Sequence, residues 1–89
     1  YIIMNKYLIE FIGSLFITYI IIKARSALAV GASLAIAMMV GAESGAHFNP
    51  AVSIVATRTG RLAMNDLVPY ILAQVAGSLT ALEIVRKFM

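Results

Sequence analysis

Three long apolar stretches, separated by short groups of charged and polar residues, dominate the sequence. They cover about residues 4–23, 26–42 and 66–87, and Glu10 is the only charge in the interior of the first stretch. A helix that crosses the hydrocarbon layer of a membrane needs about 20 mostly apolar residues, with roughly 17 as the minimum. The pattern therefore predicts three transmembrane helices, and an odd number of spans places the two ends of the chain on opposite sides of the membrane.

The residues around Leu67 predict how the third stretch begins. Asn65 or Asp66 can cap a helix there, because short polar side chains accept hydrogen bonds from the first free backbone N–H groups. Pro69 is expected in the first turn, where a missing N–H is tolerated. The third span is therefore predicted to start at about residue 66.

The first stretch has an alternative interpretation as a secretory signal peptide. No small-residue cleavage site precedes Lys23, so we interpret it as a permanent span. Met4 is expected to be the natural start, and no functional role is assigned to Tyr1–Ile3.

Residues 43–59 form a segment that is too long for a tight turn and too apolar for a solvated loop. Its first part is small and irregular. Asn49 followed by Pro50 then predicts a helix start, because asparagine caps helices and proline is tolerated at the first helical position. The helix is expected to run to Arg58 and to be terminated by Gly60. At ~1.5 Å per residue it would cross about half a bilayer, so we predict a re-entrant half-helix.

Composition places these elements in a membrane and excludes several classes of function. Hydrophobic residues make up 62% of the 89 residues and charged residues 12%, with a mean hydropathy of +0.95, whereas soluble domains are ~25% charged. The net charge of +3 is scattered in ones and twos, which is not the basic stripe of a nucleic-acid-binding protein. With no cysteine and one histidine, no cofactor or metal is expected. We predict an all-α, multi-pass integral membrane protein that is not an enzyme.

The residues of the re-entrant segment resemble a known family. Residues 44–52, Ser-Gly-Ala-His-Phe-Asn-Pro-Ala-Val, closely resemble the first signature loop of the major intrinsic proteins, the aquaporins and glycerol facilitators. Residues 10–13 resemble the first-span motif of that family, and residues 69–77 resemble its third-span motif. Family members usually carry two such repeats, the second inverted, whereas residues 1–89 match a single repeat, a half-aquaporin.

The resemblance implies a pore built around the signature Asn49, Pro50 and Ala51. A half-helix that starts at Asn49 points free N–H groups and the positive end of its dipole at the bilayer midplane, which repels cations. In this interpretation the Asn49 amide donates to a permeating water, and the carbonyls of Gly45, Ala46 and His47 form a ladder of acceptors. Asn49 and Pro50 could alternatively do no more than cap a helix.

Three polar side chains are predicted to support this loop, each with an alternative. Glu10 is interpreted as a buried acceptor for loop N–H groups, and alternatively as a lone carboxylate near the interface. Gln74 is interpreted as a second brace, or as a simple interhelical hydrogen bond. His47 is interpreted as a loop-bracing donor, with a pore-lining or metal-binding role as alternatives. Close helix contacts are expected at three glycines, Gly13, Gly31 and Gly77.

The residue after the signature predicts which solutes pass. In the family an arginine follows the second signature and forms a narrow filter, whereas Val52 occupies that position here. The other constriction positions, by alignment, are the small residues Ala29 or Val30, Ala37 and Ala46. We therefore predict mouths wide enough for glycerol-sized neutral solutes as well as water. The alternative is that Phe48 or Glu43 narrows the mouth.

One half-helix supplies half of the central barrier, so a second is expected from an inverted second copy of the chain. Three cations lie on the N-terminal side (Lys6, Arg58, Arg61) and four on the other (Lys23, Arg25, Arg86, Lys87). This balance gives the positive-inside rule little to act on, which favours dual topology. The resemblance extends this expectation to a tetramer of such dimers in the lipid bilayer.

Two other functions compete with a homodimeric channel. The first is a non-conducting membrane subunit that needs a full-length relative or a different half-repeat as partner. The second is a small dual-topology multidrug exporter in which Glu10 would carry protons, and the signature loop argues against it.

Overall fold

The computed structural model describes residues 5–88, and within them every regular element is helical. The helices are α1 (Lys6–Ala24), α2 (Ala27–Val40), α3 (Pro50–Arg58) and α4 (Met64–Phe88), with a short 3-10 turn at Ala42–Ser44 between α2 and α3. The all-α prediction is confirmed. The expectations for residues 1–4 lie outside the described residues.

Two helices, α1 and α4, are long and apolar enough to cross a membrane. The predicted second span, 26–42, is shorter than expected, because α2 has 14 residues and ends at Val40. At ~1.5 Å per residue it extends about 21 Å, below the ~30 Å of a hydrocarbon core. The helix ends because Gly41 packs against Ile9 and Phe48, and the chain then turns toward α1.

Polar caps set the starts of the first three helices. The side chains of Asn5 and Ser26 accept hydrogen bonds from backbone N–H groups at the starts of α1 and α2. Asn49 caps α3, with its side-chain oxygen 2.9 Å from the backbone nitrogen of Ala51. The predicted helix start at Asn49 and the predicted end at Arg58 are therefore confirmed.

The predicted start of α4 is wrong in two details. The helix begins at Met64, so Asn65 and Asp66 lie inside it instead of capping it. The Asp66 carboxylate is occupied by α1, because Lys6 donates to one oxygen at 2.7 Å and the Tyr7 hydroxyl donates to the other. Pro69 consequently falls in the second turn of α4, where its missing N–H removes one helical hydrogen bond.

The most extensive helix contact joins α1 and α4, which run in the same direction. Its close approach depends on Gly77, since a Cβ atom there would clash with the backbone carbonyl oxygen of Phe11. Gly13 is similarly required, because the Phe48 ring occupies the space above it. Gly31 has no atom within 4 Å of a Cβ position, so the predicted close helix contact at Gly31 is wrong within this chain.

Gly77→Ala is expected to destabilise the fold, whereas Gly31→Ala is not. Overpacking costs about 1–3 kcal/mol, and the rigid Phe11 carbonyl cannot move aside without separating α1 from α4. Alanine at Gly31 meets open space and gains up to about 1 kcal/mol of helix propensity. Thermal unfolding in detergent, followed by circular dichroism, compares the two variants. Equal melting temperatures would contradict the close α1–α4 packing.

Candidate functional site

The segment between α2 and α3 is unwound and has an unusual backbone. Gly45, Ala46 and Phe48 all have positive φ, at 91°, 55° and 52°. Only Gly45 adopts this region without steric cost, so Ala46 and Phe48 must be held there by the surrounding structure. The hydrogen bonds around this segment identify what holds it.

Glu10 is the main support of the segment. Its fully buried carboxylate accepts hydrogen bonds from two loop N–H groups, those of His47 at 3.1 Å and Phe48 at 2.8 Å. It also accepts from the hydroxyl of Ser44 at 2.7 Å and from the amide nitrogen of Gln74 at 2.9 Å. Four donors satisfy both oxygens of a buried carboxylate. A lone carboxylate near the interface does not fit these contacts.

A second group of contacts joins the loop to α3. The Gln74 amide also donates to the buried hydroxyl of Ser53 at 2.9 Å, and that hydroxyl lies 2.9 Å from Nδ1 of His47. Either ring tautomer of His47 fits this contact, because the Ser53 hydroxyl can donate to Nδ1 or accept from it. Gln74 therefore bonds to α1 and α3 together, which is more than a simple interhelical hydrogen bond.

A tyrosine that the sequence interpretation missed completes the support. The Tyr70 hydroxyl donates to the backbone carbonyl of Ser44 at 2.6 Å, and the tyrosine is almost fully buried. Its ring lies between Tyr7 and His47, with centroid distances of 5.8 and 5.3 Å. Ser44, Ser53 and Tyr70 were all missed. The sequence signal that could have identified them is that they are polar residues within otherwise apolar segments.

Asn49 is positioned to act as a donor at the start of α3. Its side-chain oxygen is used by the helix cap, so the side-chain NH₂ group keeps both hydrogens. Among residues 5–88, neither hydrogen has a protein acceptor, and the side chain is exposed. Asn49 therefore presents two hydrogen-bond donors beside the free N–H groups of the first turn of α3.

A groove of about 1050 Å³ runs along one side of the chain. Its wall includes five residues of the predicted pore: Gly45, Ala46, His47, Ala51 and Val52. The wall is formed by the end of α2, the unwound loop, α3 and the start of α4. The groove is open to its surroundings instead of being enclosed by residues 5–88.

The other predicted constriction residues lie away from this groove. Ala37 is buried against α1 and lines a separate apolar cavity of about 160 Å³, together with Gly13 and Phe48. Ala29 and Val30 are half-buried near the start of α2 and are not part of the groove wall. The Phe48 ring also faces that second cavity, so it does not narrow the groove, whereas Glu43 does line the groove.

Charged residues surround one end of the groove. Lys6, Glu43, Arg61 and Asp66 all line it, and Lys6 is paired with Asp66 at 2.7 Å. Residues 5–88 contain no cluster of three or more histidine, cysteine or acidic side chains that could hold a metal. The groove wall combines hydrogen-bonding groups of the unwound loop with four charged side chains, whereas Asn49 and Pro50 are not among its lining residues.

Two helices of membrane-spanning length, α1 and α4, lie beside α2 and α3, which are separated by an unwound segment that buried side chains hold in place. This combination is typical of integral membrane proteins. The family model for the major intrinsic proteins matches residues 18–89. The chain belongs to the major intrinsic protein family, as its signature loop predicted.

Three relatives illustrate the similarity. The glycerol uptake facilitator protein-like 6 of Lactiplantibacillus plantarum is 33% identical over 96 residues, covering 97% of this chain and 44% of that protein. Aquaporin Z of Brucella melitensis is 52% identical over 59 residues, covering 65% and 26%. The aquaglyceroporin AqpS of Rhizobium meliloti is 49% identical over 53 residues, covering 58% and 23%. The chain thus spans less than half the length of these relatives. No solved structure matches it significantly.

Proposed function

We propose that this repeat forms half of a passive transmembrane channel for water and small neutral solutes such as glycerol. The observation that carries the proposal is the fully buried Glu10 carboxylate with its four donors. A buried charge is costly unless it is fully hydrogen-bonded. Here it fixes an unwound loop ahead of a half-length helix, and irregular backbone at membrane depth is tolerated only where protein buries it or where it lines a water-filled cavity. The groove beside this loop supplies that cavity in the proposed channel.

The proposed mechanism uses the N-terminal end of α3. The positive end of its dipole, roughly half a charge, raises the energy of a cation at the midplane. A free donor hydrogen of Asn49 holds a permeating water by its oxygen, so the hydrogens of that water point away from the centre. Water molecules on either side then cannot form a continuous chain of donors across the midplane. Protons are excluded while water passes.

The unwound loop supplies the acceptors that the permeant needs. We propose that the carbonyl oxygens of Gly45, Ala46 and His47 line the approach to Asn49. Glu10, Gln74 and His47 keep these carbonyls in place by binding the N–H groups and the hydroxyl side chains behind them. A polyol or a water that leaves bulk solvent therefore exchanges its hydrogen bonds instead of losing them.

We propose that the open side of the groove is closed by a second copy of the chain in the inverted orientation. Large apolar side chains on α2 and α3 are exposed among residues 5–88, including Leu28, Val40 and Val55 at 84%, 81% and 60% exposure. An inverted repeat would bring a second half-helix from the opposite leaflet, so that the two Asn49 side chains meet at the midplane. The short α2 is proposed to complete a third span with the help of this partner, and four such dimers could associate as a tetramer.

Two variants locked in opposite orientations test this arrangement. Extra lysines added at the N-terminus of one variant and at the C-terminus of the other are expected to fix their topologies. Each variant alone should give liposomes without water flux, and the two together should restore it. Single cysteines at position 1 or 89, labelled from one side of intact cells, report the orientation, since the chain has no cysteine of its own.

Two outcomes would separate the inverted homodimer from its alternatives. Wild-type chains that all label from one side would contradict the inverted homodimer. Chains with both orientations but no flux would favour the alternative, a non-conducting subunit that requires a full-length relative or a different half-repeat.

A further inference from the structure

One end of the molecule carries an excess of positive charge. We define the basic end as the four residues Lys23, Arg25, Arg86 and Lys87, which lie at the C-terminal ends of α1 and α4. One carboxylate, Glu83, lies among them and accepts from Arg86 at 3.0 Å. At the opposite end three cations face two carboxylates, and Lys6 is already paired with Asp66. The basic end is therefore the less compensated of the two.

Helix dipoles do not account for this excess. The C-terminal ends of α1 and α4 each carry roughly half a negative charge. Together with Glu83 they offset about two of the four cations. About two positive charges at the basic end thus have no counter-charge among residues 5–88.

The basic end also has the shape of a lipid contact. Lys23 and Phe88 line the same small cleft between α1 and α4, with Tyr19 and Val85 deeper along the helices. Phe88 is 77% exposed. Cations and aromatic rings at the ends of two helices of membrane-spanning length are typical of the membrane–water interface. Lys23 can extend its charged group to the surface while its methylene chain follows the apolar cleft.

We propose that the basic end binds the phosphate headgroup of an anionic phospholipid, with the first part of an acyl chain against the apolar side chains that line the small cleft between α1 and α4. Free phosphate would satisfy the cations but would leave the apolar cleft unused, which favours the lipid. Cations near an anionic membrane surface each strengthen binding about fivefold. The site depends on the helix ends alone, so it stands even if the channel proposal fails.

Native mass spectrometry of the purified chain in a neutral detergent tests the site. Phosphatidylglycerol is expected to bind at least about tenfold more tightly than phosphatidylcholine with the same acyl chains, since two cations lack counter-charges. The double variant Lys23→Gln/Arg25→Gln should lose most of this preference. The matched control Arg58→Gln/Arg61→Gln removes two cations from the opposite end and should keep it. Inorganic phosphate should not displace the lipid.

Three results would overturn the proposal. These are equal binding of the two lipids by the wild type, an equal loss of preference in both double variants, and displacement of the lipid by inorganic phosphate. Circular dichroism establishes that each variant is folded. If Lys23→Gln/Arg25→Gln is not folded, Lys87→Gln takes its place and should reduce the preference about fivefold.

Discussion

Glu10→Ala is expected to destabilise the protein by several kcal/mol and to abolish flux. Each buried donor left without a partner costs about 1–3 kcal/mol, and four donors converge on this carboxylate. Phe48 would also lose the contact that keeps it at positive φ. The Ser44 hydroxyl, which accepts from the N–H group of Ala46 at 3.1 Å, would lose its bond to Glu10, so the loop should leave its unwound conformation. Thermal unfolding in detergent and water flux in liposomes measure the two effects.

Two further variants separate the role of Glu10 from a general effect of charge. Glu10→Gln keeps the shape but replaces one acceptor by a donor, so it should fall between wild type and Glu10→Ala in stability. Glu83→Gln removes an exposed carboxylate whose partner, Arg86, is also exposed, and such surface pairs are worth little. If Glu10→Ala melted and conducted like Glu83→Gln, the loop would not depend on the carboxylate.

Val52→Arg is expected to have the largest effect on selectivity. Val52 lines the groove in the first turn of α3, three residues after Asn49. An arginine there would narrow the passage and occupy the acceptors that a polyol needs. In an inverted dimer the change occurs at both mouths, so glycerol permeability should fall roughly tenfold or more while water permeability falls less.

Val52→Met is the control, because methionine lengthens the side chain without adding a charge or a hydrogen-bond donor. It should reduce glycerol and water flux to a similar, smaller degree. A wild-type protein that passes water and excludes glycerol would contradict the wide mouth. Glu43, which lines the groove, would then be the first residue to test as a constriction.

Helix boundaries set by adjacent residues were visible in the sequence, and those set by distant contacts were not. Asn49-Pro50 encodes a helix start locally, and the start lies there. The end of α2 depends on Gly41 meeting Ile9 and the Phe48 ring, contacts that form only after the chain folds. Asp66 has the side chain of a helix cap but is engaged by Lys6 and Tyr7 of α1, sixty positions away.

The residues of the candidate site fall into the same two groups, those that the local sequence identifies and those that only the folded structure brings together. The signature loop and Glu10 could be recognised because their residue types match a family pattern. Ser53 and Tyr70 could not be assigned, since their roles arise only when α3 and α4 bring them within hydrogen-bond distance of Gln74 and Ser44. Ala37 faces α1 instead of the groove because of the rotation of α2, which apolar composition alone does not determine when the whole helix is apolar.

We propose that this chain conducts water and small neutral solutes through a pore built on the braced loop. Stopped-flow light scattering of liposomes that contain the purified chain in both orientations tests it most directly. We expect water and glycerol permeabilities well above those of empty liposomes. The Gly31→Ala variant should retain these permeabilities, and the Glu10→Ala variant should lose them. Permeabilities equal to those of empty liposomes at every protein-to-lipid ratio would contradict it.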